Sequence, residues 1–166
     1  PKPIDRITYK ELRELSYMGA NVLHEESILP VQDCGIAINI RNTNEPENSG
    51  TVITRDAGAG TPVTGIAGKT GFISFVIHKK HMSGEIGFLR RVLSIFEKYG
   101  INVEHIPTGM DIISVVVLEE QAAKHVHAIL SEIENTLSAD VTVDRNLSLI
   151  AIVGRNMAGH YGISAS

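Results

Sequence analysis

The sequence contains no tryptophan, and aromatic residues make up only 5% of its 166 positions. A base-stacking platform for single-stranded nucleic acid depends on aromatic side chains, so the composition argues against one. Basic charge is not in excess either: 15 Lys and Arg stand against 19 Asp and Glu, for a formal net charge of −4. A nucleic-acid surface needs the opposite balance, gathered in a stripe. Long apolar runs are missing; stretches such as "VVVL" at 115–118 fall far short of the roughly 20 residues that span a bilayer. No nucleic-acid or membrane partner is therefore expected. The single cysteine, Cys34, can form no internal disulfide, which fits a reducing, cytoplasmic setting. Cysteine is among the most buried residue types, so Cys34 is expected in a core, inert rather than nucleophilic.

What is present is ordinary for a globular protein, with 43% apolar and 20% charged residues, enough chain for one or two compact domains. Residues 8–19, "TYKELRELSYMG", place Leu12, Leu15 and Tyr17 at helical spacing before Gly19. A second helix is expected over 22–33, with Pro30 as a kink or boundary. "GIAINIRN" (35–42) alternates with period two and reads as a strand. The polar, Gly- and Pro-containing stretch 43–70 reads as a domain boundary.

From residue 71 the periodicity sharpens. "GFISFVIHK" (71–79) reads as a strand. A helix follows, with Ile86, Leu89, Val92, Leu93, Phe96 and Tyr99 on one stripe, Ser83 as its cap, Glu85 in its first turn and Gly100 just past its end. "INVEHI" (101–106) and "DIISVVVL" (111–118) read as strands joined by the loop "PTGM". Residues 119–138 are helical, with Ala122, Val126, Ile129, Ile133 and Leu137 on one face, and "DVTVD" (140–144) is a short strand. The order β-α-β-β-α-β defines an α+β fold of ferredoxin-like type, two helices on one face of an antiparallel sheet. An RNA-binding module of that fold carries aromatics on its central strands, and neither "INVEHI" nor "DIISVVVL" supplies a Phe, Tyr or Trp.

The unit then begins again. "HMSGEIGF" at 81–88 and "NMAGHYGI" at 156–163 share Met82/Met157, Gly84/Gly159 and Gly87/Gly162 at one spacing. Each copy sets glycines between a strand end and a helix start. Amides at a helix N-terminus lack intrahelical partners, and glycine lets a ligand come close to them. The turn can thus receive a carboxylate or phosphate, or it can serve only as a tight connection; the residues themselves fit both.

Two further signals lead nowhere. "GIAGKT" (65–70) has the end of a phosphate-binding loop, but Val63 stands where the first glycine is required and strand-like sequence follows. The histidine pairs His78/His81 and His125/His127 have no Cys or carboxylate to complete a tetrahedral metal site, so solvated histidines and no metal are expected. No catalytic triad or carboxylate pair can be assembled.

Taken together, "GANVLH" (19–24), "RNTNEPENSGT" (41–51) and the glycine-bracketed turn resemble aspartate kinases. Residues 7–53 are similar to the last helices and strand of the amino-acid kinase domain, and the repeat is similar to the ACT domain pair that regulates those enzymes; "HIPTGMD" (105–111) resembles the monofunctional, lysine-responsive branch. The resemblance implies a carboxy-terminal fragment divided into 1–45 (kinase-domain end), 46–70 (linker and edge strand for a second ACT unit), 71–145 (first ACT domain) and 146–166 (start of a truncated second one). Asn21 stands where the family often carries Lys near its nucleotide site. The fragment would need no cofactor and would be inactive alone, whereas the parent enzyme would use ATP and Mg to phosphorylate aspartate in lysine, threonine and methionine biosynthesis. A bifunctional aspartate kinase–homoserine dehydrogenase, or a ligand-free ACT dimerisation module, are the alternative readings.

The resemblance further implies a homodimer through the first ACT unit, with a free amino acid bound at its interface. The effector-binding residues are then Met82, Ser83, Gly84, Glu85, Gly87, Phe88 and Leu89 of the turn, Asn102, Val103 and Glu104 of a strand, and Gly109, Met110 and Asp111 of the hairpin loop. The α-carboxylate would lie on amides near Gly84–Gly87. Glu85, Glu104 and Asp111 would meet ammonium groups, which favours lysine, with threonine second.

Overall fold

A computed structural model describes residues 3–20, 22–58, 62–155 and 157. Asn21 and most of the second glycine-bracketed turn lie outside the described residues. The chain forms two compact units, Pro1–Lys69 with Leu149–Ser166, and Thr70–Ser148.

The first unit opens with β1 (Arg6–Thr8) and α1 (Tyr9–Tyr17), then α2 (Glu25–Asp33), β2 (Ile38–Ile40) and β3 (Thr51–Thr54). Thr51–Thr54 falls in the stretch read as linker and edge strand, and it is the central strand of a three-stranded sheet, order β1-β3-β2. β1 runs parallel to it and β2 antiparallel. The start of α1 is a capping box: the Thr8 hydroxyl accepts from the Glu11 amide, and the Glu11 carboxylate accepts from the Thr8 amide at 2.8 Å. α2 continues through Pro30 to Asp33. Cys34 is its C-cap and is exposed, contrary to the core position expected, because 33–37 pass over the surface as the helix ends.

The core of this unit is Ile7, Tyr9, Leu12, Leu15, Ile28 and Ile53, joined by Ala67 and Val153. Glu11 is buried beside it, only 5% exposed. Its carboxylate accepts from the Thr8 hydroxyl at 2.6 Å, from the Thr64 hydroxyl, and from Arg155 Nε at 2.9 and 3.0 Å. Burial pushes the Glu11 pKa up, but the hydrogen bonds from Thr64, Thr8 and Arg155 outweigh it, and the carboxyl sits below its ordinary value.

The second unit is the β-α-β-β-α-β set. Its elements are β4 (Gly65–His78) from Thr70 on, α3 (Phe88–Lys98), β5 (Val103–His105), β6 (Ile112–Leu118), a second helical stretch of α4 (Glu119–Ala122) and α5 (Val126–Leu137), and β7 (Asp140–Val153) up to Ser148. The sheet order is β5-β6-β4-β7, with β4 and β6 antiparallel from Phe72↔Leu118 to His78↔Ile112. "GIAGKT" lies in β4, extended rather than looped. The helix expected over 119–138 is interrupted at 123–125, where the His125 amide closes a tight turn on Ala122 O at 2.8 Å. The five apolar residues assigned to its buried face are nonetheless all buried. The two strands expected on either side of residue 146 are one 14-residue strand, in which Asn146 takes φ 58°, a conformation asparagine tolerates.

Ile73, Phe75, Ile77, Val92, Phe96, Val115, Val117, Ile129 and Ile133 fill the core between sheet and helices. Phe75 and Phe96 meet edge to face, ring centres 5.2 Å apart. At the helix surface Glu132 of α5 accepts from Lys98 at 2.9 Å and from the Tyr99 hydroxyl at 2.9 Å, which ties α5 to the end of α3. No helix among the described residues is long and apolar enough to cross a membrane.

Candidate functional site

The turn after β4 does not start α3 where expected. Met82–Gly84 form a short 3-10 turn, Glu85 is extended, and α3 begins at Phe88 with Gly87 as its cap at φ 75°. Ser83 is therefore not the cap, and Glu85 is not in the first turn. The reason is that the turn takes left-handed geometry twice, at His81 (φ 59°) before the 3-10 turn and at Gly87, where glycine adopts it at little steric cost, so the helix starts only after Gly87. Amides nearer the centre of the turn are already engaged: Gly84 N with His81 O (3.1 Å), Glu85 N with Met82 O (3.0 Å) and Phe88 N with Glu85 O (3.2 Å). Leu89 and Arg90 supply the remaining first-turn amides with no acceptor in their own helix. The displaced start also rotates the apolar stripe. Phe88, Val92, Ile95 and Phe96 are the buried set, Ile86 is fully outside, and Leu89 is 40% exposed.

Glu85 is held by two cations that the sequence reading did not include. Lys79 Nζ is 2.8 Å from one carboxylate oxygen, and Arg91 pairs with the other. The hydrogen bond from Lys79 is the main reason the Glu85 carboxyl lies below its usual range, with the charges of Lys79 and Arg91 adding to it and partial burial opposing it. Lys79 also donates to Leu137 O at 2.6 Å and lies 5.1 Å from the Phe88 ring centre, and Arg91 lies 5.8 Å from the same ring. Basic residues six positions to either side of a lone turn carboxylate were the available signal. Asp111 meets the turn as well: its carboxylate accepts the His81 amide at 2.8 Å and its carbonyl accepts from Lys79 N at 3.0 Å.

The thirteen expected site residues thus fall into three groups within the unit. Met82, Ser83, Gly84, Glu85, Gly87, Phe88 and Asp111 belong to the turn end of the sheet; Met82 and Phe88 are buried there, and Ser83 and Gly84 are exposed. Leu89, Asn102 and Val103 line an open groove of about 850 Å³ between α3 and β5, with Arg90, Leu93 and Glu97. Glu104 stands next to it on β5, its carboxylate 3.3 Å from the Asn102 side-chain amide. Gly109 and Met110 stay in the hairpin loop, where Gly109 N bonds Ile112 O at 2.8 Å and Met110 is 77% exposed. His78 and His81 are exposed, and the His125 ring lies against Tyr99 at 5.2 Å.

A four-stranded sheet in this order, with antiparallel β4–β6 and β5–β6 pairs, backed by helices and carrying a glycine-bracketed turn at the end of its first strand, makes this unit a ferredoxin-like domain of the ACT class. Known proteins place the chain further. It is 42% identical over 99% of its length to aspartokinase 3 of Bacillus subtilis and 32% identical over 92% to the chloroplastic aspartokinase 3 of Arabidopsis thaliana. It superposes on the crystal structure of Clostridium acetobutylicum aspartate kinase, described as an allosteric enzyme, with a TM-score of 0.90, 46% identity and 99% of the chain covered. No protein-family model matches it. The chain belongs to the aspartokinase family, as a carboxy-terminal piece. It spans 37% of the B. subtilis protein and 39% of the C. acetobutylicum chain.

Proposed function

We propose that this chain is the amino-acid-sensing regulatory region of an aspartokinase, a whole enzyme that phosphorylates aspartate with ATP, and that lysine is its effector, with threonine second. The observation that carries the reading is the groove between α3 and β5. It combines apolar Leu89, Leu93 and Val103 with the polar Asn102 and, beside it, Glu104, and β5 is an edge strand with one neighbour. A second copy set against this edge brings its own 82–89 turn to Asn102–Glu104, so two half-sites complete each other across a two-fold axis. The effector's carboxylate then faces the Leu89 and Arg90 amides, and its side-chain ammonium faces Glu104. The allosteric character of the C. acetobutylicum relative supports the same reading.

A ligand that binds only the folded state raises stability by about 2.7 kcal/mol at a hundredfold excess over its dissociation constant. Lysine at millimolar concentration is therefore expected to raise the melting temperature by several degrees, and Glu104→Gln to reduce the rise. A shift given by another amino acid and not by lysine overturns the effector; a shift given by none overturns the sensing role. Light scattering at tens of micromolar is expected to show a dimer. Leu93→Lys, which buries a charge at the proposed contact, should leave a folded monomer. A monomeric wild type removes the shared site.

A further inference from the structure

Glu85 is badly placed to hold an ammonium group. Lys79 Nζ lies 2.8 Å from its Oε2, and Arg91 pairs with its Oε1. The two cations together carry one charge more than the carboxylate, so the cluster repels an ammonium and attracts a carboxylate. Asp111, the other acid at this end of the sheet, faces the His81 amide instead. The same two cations tie several parts of the unit together. Lys79 follows the end of β4; its amide is held by Asp111 O at 3.0 Å, and its ammonium donates to Leu137 O, at the end of α5, at 2.6 Å. Arg91, in the first turn of α3, reaches back toward the helix start, as helical side chains do, and donates to Ile86 O at 3.3 Å. Both cations lie against the Phe88 ring, 5.1 and 5.8 Å from its centre. What they enclose is the extended step at Glu85 and the left-handed step at Gly87, which together fix where α3 begins. The next residues of the helix, Leu89 and Arg90, line the groove between α3 and β5.

We propose that Lys79 and Arg91 are positioning residues of the effector groove: through Glu85 they hold the 85–87 step so that Leu89 and Arg90 meet the effector's carboxylate, a role that rests on the sensing reading above. An exposed ion pair by itself contributes little to stability. A network that fixes one backbone geometry contributes to binding instead, because the ligand meets amides already in place and less of the turn has to be ordered. Its excess positive charge acts in the same sense, turning the carboxylate end of the effector toward α3 and leaving the side-chain ammonium to Glu104. Glu85 then acts on the effector without touching it.

The test uses the full-length aspartokinase that contains this chain, as wild type, Glu85→Gln, Lys79→Met, Arg91→Met, Arg91→Lys and the double variant Glu85→Gln/Arg91→Met, with lysine as the probe. Calorimetry measures the dissociation constant, and thermal unfolding without lysine measures the stability of each protein. Glu85→Gln and Arg91→Met are each expected to raise the dissociation constant about tenfold, the size of one lost charge-assisted hydrogen bond, and Lys79→Met to act in the same direction. Because both substitutions break one clamp, the double variant should bind no more weakly than the weaker single one. Arg91→Lys keeps a charge within reach of Glu85 and loses the fork, so it should recover part of the loss. The Arg91 side chain is 36% exposed, so its variants are expected to fold. Losses that multiply in the double variant overturn the clamp. So does weaker binding in Glu85→Gln with none in Arg91→Met, which puts Glu85 on the ligand itself. Unchanged dissociation constants, with or without a lower melting temperature, reduce the network to a structural one and overturn the proposal. Failure of lysine to bind the wild type overturns the sensing reading, and the positioning role with it.

Discussion

Replacing Glu11 by alanine is expected to lower the stability of the unit that holds α1 by about 3–5 kcal/mol, the range for breaking one side of a buried ion pair. Three effects act together. Arg155 keeps a buried positive charge with only carbonyl partners. The Thr8 and Thr64 hydroxyls lose their acceptor, and α1 loses half of its capping box. Glu11→Gln keeps the shape and should cost less. The pH dependence follows from the sign of the shift. The folded carboxyl lies below its ordinary value near 4.5, so this stabilisation is present in full above that value and is lost as the pH falls through the lower, folded one. Denaturant unfolding of wild type should therefore weaken on acidification below about pH 4.5, and Glu11→Gln should show less of that slope. Equal slopes in the two proteins would mean that the carboxylate is not held as described.

Phe96→Ala should cost about 3–5 kcal/mol, the range for removing a buried aromatic ring. Phe96 is fully buried, stands edge-on to Phe75 and reaches the sheet from the inner face of α3. Its loss leaves a cavity between helix and strands that the antiparallel β4–β6 pair cannot close by moving. Phe96→Leu should recover more than half of the loss. Leu93→Ala, one turn outward on the groove side of α3, should cost far less in a monomeric background. Chemical denaturation of the three variants checks the order; a Phe96→Ala cost below that of Leu93→Ala would show that the buried face has been misplaced.

The elements of the second unit could be read from the chain because their periods are unmixed. β6 is a continuous apolar run between turn residues, and Ala122, Val126, Ile129, Ile133 and Leu137 repeat at helical spacing, so their burial follows from geometry alone. The start of α3 could not be read that way. Ser83 and Glu85 have the chemistry of a helix cap, but Gly87 carries the left-handed turn, and the choice depends on Lys79 and Arg91 holding Glu85 outside the helix. Thr8 and Glu11 carry a capping signature, T-x-x-E, that marks the start of α1 in the sequence itself. The expected site residues were found in three groups for a similar reason: Asn102 and Val103 are near the turn in sequence, but the sheet puts β5 at its edge.

By itself the sequence determined the α+β class, the ferredoxin-like order of elements and the repeat of the turn, since all of these depend on residue type at short spacing; its resemblance to aspartate kinases rested on the motifs at 19–24, 41–51 and 81–88. Only the tertiary structure decided where Arg155 goes. It is 144 residues from Glu11, and no local period links them. Their meeting depends on β7 continuing past Asn146 to Val153 and on the absence of a side chain at Gly154, where the backbone passes within contact of Pro62.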